Sequence, residues 1–124
     1  GDAYDGDPLF AILQSASEYA KTSAAHGDSG EAVRSARAMI GIGFKMAGGT
    51  GVKNPVSKDA DMLDCILADI AIGQGYATLE KVYRSVGSVE RADQMQAEFL
   101  EVKSALANRN KSIAKAKEDG YGDY

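Results

Sequence analysis

A five-residue pattern occurs twice in this chain, as Ile40-Gly41-Ile42-Gly43-Phe44 and as Ile72-Gly73-Gln74-Gly75-Tyr76. A second echo, Gly27-x-x-x-x-Ala32 and Gly87-x-x-x-x-Ala92, has its copies 60 residues apart. Both I-G-x-G copies fall in stretches that otherwise read as helix, where each glycine costs about 1 kcal/mol relative to alanine. Something in the fold must offset that cost. One cause is a neighbouring helix lying close over the bare backbone, with Phe44 or Tyr76 covering the edge. Another is a bend, which would split the third helix near residues 73–75. A third is a concavity where a ligand meets exposed backbone. Recurrence itself points to two related helical hairpins packed together, since a repeated unit usually repeats to bury a repeated face.

The hydrophobic rhythm agrees. After an acidic, glycine-containing segment expected to be mobile (residues 1–7), Asp7-Pro8 is a strong helix start. Leu9, Leu13, Ala16, Ala20 and Ser23 then follow at alternating spacings of four and three, one apolar-to-small stripe of a helix that Gly27 stops. Asp28 or Ser29 can cap a second helix, whose inward stripe is Val33, Ala36, Ile40 and Phe44 and which Gly48-Gly49 ends. Residues 49–57, with Pro55, read as a connector. Ser57 is the expected cap of a third helix, with Asp59 and Asp61 in its first turn. Its stripe is Met62, Ile66 and Ile70, then Tyr76, Leu79, Tyr83 and Val86. In the last helix Ala92, Met95, Phe99, Val102 and Leu106 keep a 3-4-3-4 seam, which Asn108–Asn110 interrupt before Ile113. No useful length of chain alternates with period two. The expected fold is all-α, with two antiparallel helical hairpins (8–48 and 58–117) forming a four-helix bundle or a short repeat-like stack. The tail 118–124 is expected to fray.

Charge and composition exclude several activities. A net charge of −4 does not supply the concentrated positive field that a nucleic-acid backbone requires. Lys103, Arg109, Lys111, Lys115 and Lys117 gather near the C-terminus, where cations suit the negative end of a helix dipole. No apolar run reaches the ~18 residues of a transmembrane helix. Cys65 is the single cysteine and reads as a small buried hydrophobe; His26 is the single histidine and reads as a helix C-cap. One histidine cannot furnish the paired Glu-x-x-His of a di-metal bundle, and C-x-x-C-H for haem is absent. Asp59, Asp61, Asp64 and Asp69 point mostly to water, and Asp2, Asp5 and Asp7 lack calcium-loop spacing. The I-G-x-G copies follow no strand and lack a third glycine, so they are not a dinucleotide fingerprint. Gly48-Gly49-Thr50-Gly51-Val52-Lys53 lacks the Gly-Lys-Ser/Thr ending of a phosphate loop. No catalytic, cofactor or metal residue is assigned.

The aromatic rings are the remaining candidates. Tyr76 and Tyr83 share a helix face, and Tyr19 and Phe44 lie on the preceding hairpin. If these four line a groove between hairpins, they can receive a peptide or an apolar ligand.

Leu79, Tyr83, Gly87 and Ala92 fall at the spacings of a tetratricopeptide repeat, and residues 79–92 resemble the middle of one. Gly27 and Ala32 are similar to a poorer copy of its turn. Gln96 stands where that family usually has a ring, no terminating proline follows, and the turns are 60 rather than about 34 residues apart. The resemblance implies helical hairpins that offer a concave surface to a protein segment, and no catalysis. No binding residue of that family carries over.

The functional expectation is a non-enzymatic interaction or structural module that binds a protein or peptide. A seam on the last helix too wide for the domain to bury would be covered by homodimerisation. The competing expectation is a carrier or sensor of a small apolar ligand, with its pocket beside Gly41/Gly43 and Gly73/Gly75. The opening Gly1-Asp2, without an initiator methionine, leans the reading toward an exported protein (periplasmic, surface or lipid-anchored) whose leader has been removed.

Overall fold

The computed structural model describes residues 7–120. The expectations of mobile ends at 1–6 and 121–124 lie outside the described residues. Four helices, α1 (Asp7–Ala25), α2 (Ser29–Met46), α3 (Met62–Ser85) and α4 (Val89–Glu118), pack against one another. A two-stranded antiparallel sheet, β1 (Gly48–Gly51) and β2 (Asn54–Val56), joins α2 to α3. The fold is all-α, with α3 at its centre against α1, α2 and α4.

The Gly-x-x-x-x-Ala echo is one turn used twice. Gly27 takes φ +85° and Gly87 φ +79°, a conformation that disfavours any side chain with a Cβ. Asp28 N–H then bonds back to the Ser23 carbonyl at 2.8 Å, and Ser88 N–H to the Tyr83 carbonyl at 2.8 Å, satisfying carbonyls that each helix end leaves free. The alanines five residues on, Ala32 and Ala92, are fully buried in the next helix, where a larger side chain would push the hairpin apart.

The I-G-x-G echo is the contact between α2 and α3. These helices run antiparallel, and each isoleucine lands on the second glycine of the other copy. A Cβ on Gly43 would collide with Ile72 Cγ1 and stand 3.0 Å from the Ala68 carbonyl oxygen. One on Gly75 would stand 2.6 Å from Ile40 Cγ1 and 3.0 Å from Ile40 N. Close packing of isoleucine into a glycine notch is what offsets the poor helix propensity. α3 is continuous through 73–75, so no bend is involved. The first glycine of each copy does something different. Gly41 has nothing within 4 Å of its absent Cβ, and Gly73 has only Phe99 Cζ at 4.0 Å.

Three sequence expectations need correction. The 49–57 connector contains a β-hairpin, invisible to periodicity because its strands are four and three residues long. Its β1 glycine, Gly49, has no room for a Cβ beneath the Pro55 carbonyl, and Pro55 is buried. Ser57 N–H then bonds the Ala47 carbonyl at 2.7 Å and closes the hairpin onto the end of α2. The third helix starts at Met62, not beside Ser57: Asp61 and Asp64 form a reciprocal capping box, while Ser57 Oγ accepts from Asp59 N–H. The stripe of α3 holds at Tyr76, Leu79 and Tyr83 but is rotated at its start. Cys65, Ala68, Ile72 and Gly75 face inward there, whereas Met62 and Ile66 are exposed, as is Val86 at the other end.

Candidate functional site

The start of α3 carries large apolar side chains that reach water. α1 runs parallel to α3, with Leu13 beside Ala71 and Ser17 Oγ 3.0 Å from Thr78 Oγ1. α1 begins at Asp7, and its Leu9 packs in the same cluster as Ile70. The two turns of α3 before Ile70 reach water on this side. There Leu63 is 62% and Ile66 47% exposed, with Met62 beside them.

On the other flank, α4 overshoots the start of α3. Ser112, Ile113, Ala116 and Lys117 line a groove of about 440 Å³ with Met62, Leu63 and the 59–61 loop. Arg109 anchors this corner, its Nε donating to the Ala60 carbonyl at 2.9 Å. Asp59 and Asp61 stand on one wall and Arg109 and Lys117 on the other. Apolar side chains and charges of both signs line the groove together. The sequence reading missed it, because it placed Met62 and Ile66 in the core.

The four aromatic candidates do not form one surface. Tyr76 and Tyr83 are buried in the main core, Phe44 is half-buried against it, and Tyr19 is 52% exposed on α1. Tyr76 packs its ring on Phe99, with centroids 5.3 Å apart, and its hydroxyl donates to Glu98 Oε2 at 2.7 Å. Arg91 lies over the Tyr83 ring at 5.9 Å. These are the contacts of core aromatics with one polar end each.

Burial and the Glu98 carboxylate push the Tyr76 phenol well above its usual range. The unfolded chain ionises its tyrosines from about pH 10. A group whose folded-state pKa is raised stabilises the fold below the unfolded value and loses that contribution as pH climbs toward the folded one. Denaturant midpoints measured from pH 8 upward should therefore fall beyond about pH 10. Tyr76→Phe should flatten that fall. An equal fall in both proteins would show that Tyr76 is not its source.

Cys65 is fully buried beside a groove of about 280 Å³ that Asp69, Lys103 and Asn110 also line. Burial pushes its thiol up, against the pull of Arg109, which leaves it a poor nucleophile. His26 stands at the opposite end of the bundle, exposed, with Nδ1 2.8 Å from the Thr22 carbonyl oxygen of its own helix. Asn110 breaks the α4 seam, and its Oδ1 is buried without a hydrogen-bond partner.

Ion pairs serve the helix ends. Arg84 bridges Glu80 and Asp93 at 3.0 Å each across the α3–α4 turn, and Arg34 pairs with Glu31 in α2. Lys103 lies over the Phe99 ring at 5.7 Å. Among the described residues, no group of three or more His, Cys, Asp or Glu is placed to hold a metal ion. No helix among them is long and apolar enough to cross a membrane. In comparison with known proteins, no family model, curated protein or solved structure matches the chain.

Proposed function

We propose that this protein is a non-enzymatic helical interaction module, and that it docks a peptide segment of a partner protein at the open end of the α3–α4 hairpin. The observation that carries this reading is the exposure of Leu63 and Met62 on the lining of the 440 Å³ groove. Large aliphatic side chains grouped in water and rimmed by charge are the usual mark of a surface that another chain covers. The chemistry of the groove specifies its occupant: an amphipathic segment with one large apolar side chain for the apolar lining. Its flanks carry a cation toward Asp59 and Asp61 and an anion toward Arg109 and Lys117. The capping box at Asp61 and the Arg109 anchor hold the walls in place, so the site is presented largely preformed.

The competing reading, a small apolar ligand beside the glycine pairs, has less to support it at the second glycine of each pair. Ile72 fills the space at Gly43 and Ile40 the space at Gly75. The notch that remains at Gly73 is an open groove of about 270 Å³ against Phe99 and Leu100.

The test is a selection of peptides from a random display library on the folded protein. The expected winners carry an apolar side chain between opposite charges, and lose at least about tenfold in affinity on Leu63→Asp or Met62→Asp. Both residues are exposed, so the variants should fold. Winners that bind these variants unchanged would remove the reading.

A further inference from the structure

The outward side of α4 carries an order of charges that complements itself when reversed. Asp93, Ala97, Leu100, Ser104, Ala107 and Lys111 succeed one another at spacings of 4-3-4-3-4, and all six are exposed. This row lies apart from the buried seam of Ala92, Met95, Val102 and Leu106, with which α4 holds to the rest of the fold. Read from its other end the row has the same spacing, with base in place of acid. Leu100, 61% exposed, is its one large apolar side chain.

We propose that α4 pairs with the α4 of a second copy, antiparallel, about a twofold axis level with Val102. Asp93 then faces the Lys111 of the other copy, Ala97 faces Ala107, and Leu100 lies across Ser104; each contact occurs twice, as an isologous interface requires. The small side chains at three of the six positions let two helices of ~45 Å approach to the 8–10 Å of close packing. The charges choose the direction. A parallel pairing would set Asp93 on Asp93 and Lys111 on Lys111, whereas the antiparallel one sets opposite charges together at both ends.

The groups around the row are compatible with this. Asp93 gives one oxygen to Arg84, but its side chain remains largely exposed. Lys103, near the axis, has its ammonium over its own Phe99 ring. Lys111 has no ion pair among the described residues. The row is separate from the Leu63 patch, so this inference stands or falls without the peptide-docking reading.

Sedimentation equilibrium of the whole chain tests it. The apparent mass should rise with concentration from 13.0 kDa toward its double, and less so as salt is added. Lys111→Glu and Asp93→Lys should each raise the dissociation constant about tenfold, and the two together should return it to within about threefold of the original. Leu100→Asp should abolish the dimer. All four proteins should keep the same helical circular dichroism, because the positions are exposed. A chain that stays monomeric to about 1 mM, or a dimer indifferent to the charge reversals, would overturn the proposal.

Discussion

Gly75→Ala is expected to destabilise the protein by about 2 kcal/mol, although in an isolated helix the same change would stabilise it by about 1 kcal/mol. The sign reverses because the new methyl has nowhere to go. It would stand 2.6 Å from Ile40 Cγ1 and 3.2 Å from the Ala36 carbonyl oxygen, so both a branched side chain and the backbone of α2 must shift. Gly43→Ala should behave alike, with Ile72 and the Ala68 carbonyl in its way. Gly41→Ala is the internal control. Its Cβ meets nothing within 4 Å, so it should gain the ordinary propensity of about 1 kcal/mol. Urea denaturation of the three variants decides the matter. If all three midpoints move upward together, the close approach of α2 and α3 described above is wrong.

Ile72→Ala should cost about 3 kcal/mol, because a fully buried side chain leaves a space that rigid neighbours cannot close. The informative measurement is the cycle with Gly43→Ala. Ile72 fills the notch at Gly43, so removing it opens room for the alanine methyl that otherwise collides. The double variant should therefore be more stable than the sum of the single effects allows, by at least about 1 kcal/mol. The rescue is partial, since the Ala68 carbonyl still stands 3.0 Å from the added Cβ. Strict additivity would show that isoleucine and glycine are not in contact.

The two predictions rest on a pairing that the sequence showed only as a repetition. Four glycines stood in the two motifs with equal claim. Nothing in Ile-Gly-x-Gly says that the second glycine of each copy is the crowded one, because the crowding comes from a residue some thirty positions away. The same holds for α3. Met62, Ile66 and Ile70 have the spacing of a core stripe, and so do Cys65, Ala68 and Ile72. Which row turns inward depends on the sides on which α1, α2 and α4 lie. The candidate site was illegible for this reason: Met62 and Leu63 look like core until the packing around α3 shows them exposed. The aromatic residues misled in the opposite direction. Tyr76 and Tyr83 drew attention as a binding face, yet a ring seven residues from another marks a buried face equally well.

The hairpin between α2 and α3 escaped for another reason. Three glycines and a proline in eight residues read as a turn, and strands this short have no alternation to display. What shows that Gly49 belongs to a strand is the Pro55 carbonyl above it, a contact between residues rather than a preference of either.

The residues alone determined that the chain is helical, and that Gly27 and Gly87 end helices. These follow from local backbone preference, which needs no neighbour in space. Tertiary structure decided which glycines are notches, which apolar rows reach water, and where α3 and α4 leave a groove. Those outcomes depend on the relative positions and registers of the helices, and register is set by side chains meeting across the fold.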